Sequence, residues 1–95
     1  MNVYTITDQL PMASTVLHFY YPEVFPIIDQ RAYRELYAMD YPKTMTKIPM
    51  LTELYLKYIK DCWEYQQEKC PEIAFSKIDK VLYQLDKEKG NKVIY

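Results

Sequence analysis

Ninety-five residues leave room for one core and exclude a chain of several independently folded domains. With 49% hydrophobic residues and a single glycine, the chain is too apolar and too poor in breakers to stay disordered. Twelve basic against thirteen acidic side chains give a formal net charge of −1, which excludes the strongly basic surface of a self-sufficient polyanion binder.

The first seven residues, MNVYTIT, alternate apolar and polar side chains and read as an extended N-terminal arm. A first helix is expected from about Asp8 to Tyr21, capped by Thr7 or Asp8, with Pro11 in its first turn, where a missing N–H is harmless. Ala13, Val16, Leu17 and Tyr20 mark its buried stripe by their spacing. Pro22 and Pro26 then bracket a stiff turn, PEVFP, and push Tyr21 and Phe25 toward extended backbone.

Asp29 stands next as the N-cap of a second helix that runs to about Asp40, with Ala32, Tyr33, Leu36 and Tyr37 facing inward. After a polar, basic loop over 41–48, Pro49 opens the longest helix, expected to about residue 69. Leu51, Leu54, Tyr55, Tyr58, Ile59, Cys62 and Tyr65 share its inner stripe, and Glu53 can pair with Lys57 one turn on. Pro71 separates this helix from the last. There Ser76 and Asp79 suit a capping box, Ile78, Val81, Leu82 and Leu85 line the inner face, and Gly90 ends the helix. Val93, Ile94 and Tyr95 close the chain as an apolar tail available for docking. The fold class that follows is all-α, a small bundle of about four helices in a single domain spanning residues 1–95.

Cys62 and Cys70 lie about 12 Å apart if one helix carries both, beyond disulfide reach, so reduced thiols and a cytoplasmic setting are expected. No stretch has the ~18 consecutive apolar residues of a membrane span, and the N-terminus lacks the basic start and apolar core of a signal peptide.

Asp29 is the residue that most resembles chemistry. A helix N-terminus favours an ionised carboxylate that can balance a developing positive charge, and the same geometry serves a plain cap. His18 is the only histidine and has no ligand cluster around it, so neither a metal nor another cofactor is expected, and His18 falls at the core edge or on the helix surface. A nucleophilic pair of His18 with Cys62 is conceivable, but nothing in the sequence orients it. Trp63 neighbours the long helix's inner stripe and is expected to shield it. Arg31 and Arg34 follow Asp29 and suit either phosphate or acidic partners such as Glu35. Lys43, Lys47, Lys57 and Lys60, with only Glu53 among them, make residues 43–60 locally positive by about three.

The run from Leu10 through LPMAS, LHF, PEVFP and IIDQRA resembles the C-terminal half of bacterial helix-hairpin-helix DNA glycosylase-like proteins, and SKIDKVLYQLDKEKG resembles their closing helices. The likeness covers roughly residues 10–90. It implies that Asp29 matches the family's catalytic Asp; in a DNA-acting reading of this chain Arg31, Lys43 and Lys47 are the expected phosphate contacts. The chain departs from the family in lacking the Gly-rich hairpin, the adjoining Lys and the helical subdomain that forms the other wall of a base pocket. A flipped base needs both walls. The expectation is therefore a non-catalytic, truncated glycosylase-like domain acting through a protein partner or as a homodimer, without a membrane role. Two alternatives remain open: a DNA-binding or base-excision module using Asp29, and a phage or mobile-element inhibitor of a host enzyme.

Overall fold

Helices supply most of the chain's backbone pairing, and the residues between them decide how those helices meet. The computed structural model describes residues 3–42 and 47–90, and of residues 3–9 the backbone alone. Among these are four α-helices: α1 (Val3–Tyr20), α2 (Gln30–Tyr37), α3 (Ile48–Lys69) and α4 (Ile78–Glu88), the last preceded by a 3-10 turn over Phe75–Lys77. The all-α bundle expected from periodicity is what the chain forms. The tail residues Val93, Ile94 and Tyr95 lie outside the described residues.

The extended arm is not observed beyond residue 2, because α1 already begins at Val3. β-branched residues favour strands only where a neighbouring strand can pair with them. Here continued helix satisfies the backbone groups that a lone strand would leave open. Pro11 consequently lies inside α1 rather than in its first turn.

The buried side of α1 is also rotated from the expected stripe. Leu10 and Leu17 pack against the core and Ser14 is fully buried, whereas Val16 and Tyr20 are 53% and 69% exposed. The most apolar line on this helix faces out.

α2 is shorter than expected and stops at Tyr37, because Ala38 takes the left-handed conformation (φ 56°) and its N–H closes on the Arg34 carbonyl at 2.8 Å. On α3, Leu51, Tyr55, Tyr58 and Cys62 are buried as periodicity predicts, and Gln66 continues the same face. Lys57 pairs forward with Asp61 at 2.6 Å rather than back with Glu53, because Asp61 also accepts the Tyr37 hydroxyl at 2.6 Å. Trp63 does not shield the core: it is 54% exposed on the outer side of α3. Both cysteines are free and buried.

The extended segment from Phe25 to Asp29 passes between the helices, with Pro26 and Ile28 fully buried. The Phe25 N–H and the Asp29 carbonyl pair with backbone at the two ends, and the polar groups between them have no helix to pair within and turn to side chains. The Phe25 carbonyl accepts from His18 Nδ1 (2.9 Å), the Pro26 carbonyl from the Tyr55 hydroxyl (2.7 Å) and the Ile27 carbonyl from the Tyr58 hydroxyl (2.8 Å). The Ile27 N–H donates to Asp79 Oδ2 (2.8 Å) and the Ile28 N–H to Ser14 Oγ (3.0 Å). Side chains of α1, α3 and α4 thus converge on three consecutive peptide groups.

Ser14→Ala removes the acceptor of a buried N–H and should lower stability by about 1–3 kcal/mol in urea or thermal unfolding. Thr15→Ala, at the exposed neighbouring position whose hydroxyl bonds only the Pro11 carbonyl, should change stability by less than about 0.5 kcal/mol. Equal effects from the two variants would contradict this assignment.

Candidate functional site

Asp29 and Asp79 meet at one place, a cleft of about 260 Å³ lined also by Ile27, Lys80, Tyr83 and Gln84. Asp29 arrives there because the extended segment ends at α2. Its own backbone is extended (φ −141°, ψ 176°), and its Oδ1 accepts the Ala32 N–H at 2.7 Å, a regular N-cap. Asp79 arrives from the first turn of α4. The expected capping box does not form, for no side chain caps this helix. The Asp79 carboxylate turns instead to the Ile27 N–H, and with 4% exposure it is part of the interior.

The electrostatics of Asp29 differ from the sequence expectation. Burial pushes its carboxyl above the ordinary range, outweighing the hydrogen bonds from the Ala32 and Arg31 N–H groups, and the neighbouring charge of Asp79 adds to the rise. A helix N-terminus alone would have lowered it. On the other side of Asp79, His18 Nδ1 stands 3.5 Å from Oδ2 while donating to the Phe25 carbonyl. His18 thus occupies the core edge. Asp79 Oδ1 is enclosed and meets no donor among the described residues.

Arg31 and Arg34 reach Asp86, one face-repeat further along α4, while the Arg31 charge also acts weakly on Asp29. Arg34 grips that carboxylate with two bonds, Nε to Oδ1 and Nη2 to Oδ2, both 2.9 Å, and Arg31 Nη1 reaches Oδ2 at 3.3 Å. Asp86 has no exposed surface. The Arg31 guanidinium also lies over the Tyr83 ring, 5.4 Å from its centre. Glu35, proposed from the sequence as an arginine partner, pairs with Lys89 instead, at 2.8 Å. Lys47 is exposed at the start of α3, on a different element from Asp29, and Lys43 lies outside the described residues.

Asp79 and Asp86 are the site residues that sequence reasoning missed. Both share the face of α4 that carries Ile78 and Leu82, and the four are buried together. Two carboxylates on the apolar side of a helix were the available signal, since buried acids must find donors elsewhere in the chain. Cys62 has no exposed surface, and burial pushes its thiol up to about 12, which disfavours the thiolate. Among the described residues no group of three or more His, Cys, Asp or Glu could hold a metal ion, and no helix is long and apolar enough to cross a membrane.

Comparison of this chain with protein-family models, with curated proteins and with solved structures finds no match.

Asparagine at position 29 keeps the cap but carries no charge. The folded protein holds the Asp29 proton more tightly than the unfolded chain does, so the wild type loses stability from this group as pH rises from the ordinary carboxylate value through the raised one. Thermal melts of Asp29→Asn against wild type should therefore favour the variant more at pH 7 than at pH 3. An advantage that is larger at pH 3 would contradict the burial of this carboxyl.

Proposed function

We propose that this chain is a non-catalytic interaction module that pairs with a second copy of itself through the outer face of α1. The observation that carries the reading is the apolar line Met12, Val16, Phe19 and Tyr20, exposed by 70%, 53%, 79% and 69% and spaced by four, three and one residues so that all share one side of the helix. Tyr21 and Val24, 60% and 53% exposed, continue it into the following turn. Taking ~150–250 Å² for a whole aromatic side chain, these six residues offer on the order of 700 Å². That exceeds the usual largest patch of a monomer, roughly 300–600 Å².

The charge pattern favours a second copy over an unlike partner. Between Gln9 and Pro22 there is no Lys, Arg, Asp or Glu, and His18 is turned inward onto the Phe25 carbonyl; the exposed Glu23 stands at the end of the line, beside Val24. A face whose helical part carries no charge has little to repel when laid on its own image by a two-fold axis, with Glu23 at its edge, and two such faces would bury roughly 1,400 Å², within the range of stable dimers.

Light scattering after size exclusion, with and without a short DNA duplex at low and high salt, tests the proposal. A dimer indifferent to DNA is expected. Phe19→Lys should weaken dimerisation by about 30-fold or more, the scale of losing a central aromatic anchor, while circular dichroism stays unchanged. A monomer at all concentrations, or a monomer that binds DNA at low salt and releases it at high salt, would overturn it in favour of chemistry at Asp29.

A further inference from the structure

The interaction face leaves the cleft between α2 and α4 unexplained. We propose that this cleft is a binding site for a hydrogen-bond-donating ammonium group, received between the carboxylates of Asp29 and Asp79.

Asp79 makes the strongest part of the argument. It is 4% exposed, its Oδ2 is occupied by the Ile27 N–H at 2.8 Å, and its enclosed Oδ1 meets no donor among the described residues. Buried carboxylate oxygens are ordinarily saturated with donors, because desolvation without replacement is costly. The residue beside it in the cleft is another carboxylate, whose Oδ1 is committed to capping α2 at 2.7 Å. Burial pushes the Asp29 carboxyl up, and the neighbouring charge of Asp79 adds to the rise. One cation between them satisfies the orphaned oxygen and relieves the repulsion.

Among the described residues no cationic side chain donates to Asp79 Oδ1, and the charge of Arg31 acts on Asp29 only as a small offset to burial. Arg34 and Arg31 bond Asp86, and the Arg31 guanidinium covers the Tyr83 ring. Lys80 is exposed at the rim, and among the described residues no ion pair joins it to either carboxylate. His18 approaches Asp79 only at Oδ2, at 3.5 Å, with its Nδ1 already engaged by the Phe25 carbonyl. The remaining lining residues suit an alkyl stem: Ile27 and the Tyr83 ring are apolar, and Gln84 adds a polar edge. A volume of about 260 Å³ holds a short alkylamine, and it equally holds the end of a lysine side chain.

The test is an NMR titration of the amide signals of the whole chain at fixed ionic strength and neutral pH. Three probes are compared: n-butylammonium chloride, a lysine blocked at both ends, and tetramethylammonium chloride, which carries the charge without a donor. Saturable shifts at Ile27, Ala32 and Lys80 are expected with the first two, and no saturable shift with the third. Binding of n-butylammonium alone makes a free amine the source, and binding of blocked lysine alone makes it a peptide side chain; both support the site. Asp79→Asn keeps an acceptor for the Ile27 N–H, and Asp29→Asn keeps the α2 cap. Each should weaken binding by about tenfold or more, as loss of a charged hydrogen-bond partner implies. Shifts that never saturate, an equal response to tetramethylammonium, or binding unchanged in a folded Asp79→Asn variant would overturn the proposal.

Discussion

The structure depends on the backbone of Phe25 to Asp29, which runs extended through the middle of a helical protein. Peptide groups in such a place cannot be left dry and unpaired. Ser14 and His18 from α1, Tyr55 and Tyr58 from α3, and Asp79 from α4 meet that demand, so the packing of three helices is coordinated around one short strand of chain. The same constraint explains the abundance of tyrosine on the inner face of α3: a ring fills the core while its hydroxyl reaches a carbonyl. It also explains why a serine is fully buried on α1.

A second constraint fixes α2 against α4, the two elements in the most extensive contact. Asp86, with no exposed surface, is held by Arg34 through two bonds and by Arg31 through a third. Such a network adds little net stability over an apolar core of the same shape, yet loss of one member strands the others. Its geometric demand sets the register of the two helices. That register in turn brings Asp29 and Asp79 to one cleft.

Helix number, helix order and the inner face of α3 were legible from apolar spacing, and Asp29 was legible as a cap from its place after two prolines. The orientation of α1 was not. A count of apolar residues aims Val16 and Tyr20 inward, but the segment Phe25–Ile28 needs a hydroxyl and an imidazole, so Ser14 and His18 face in and the apolar line is displaced outward. The same blindness hid Asp79, which local spacing assigns to a capping box with Ser76 and which the fold spends on a peptide 52 residues earlier. Arg31 and Arg34 were read as open to phosphate or to Glu35 because their partner, Asp86, lies 55 and 52 residues away. Local pattern reports periodicity well and reports the needs of distant buried groups hardly at all.

The outward apolar line of α1 is thus a consequence of the buried segment, and the interaction reading rests on that segment being as firmly held as its hydrogen bonds imply. Native-state hydrogen exchange at the Ile27 and Ile28 amides tests this most directly. Both should exchange only through global unfolding, with the same free energy and denaturant dependence as the slowest amides of α3. Fast exchange at these two amides, at the rate of an open loop, would contradict the account.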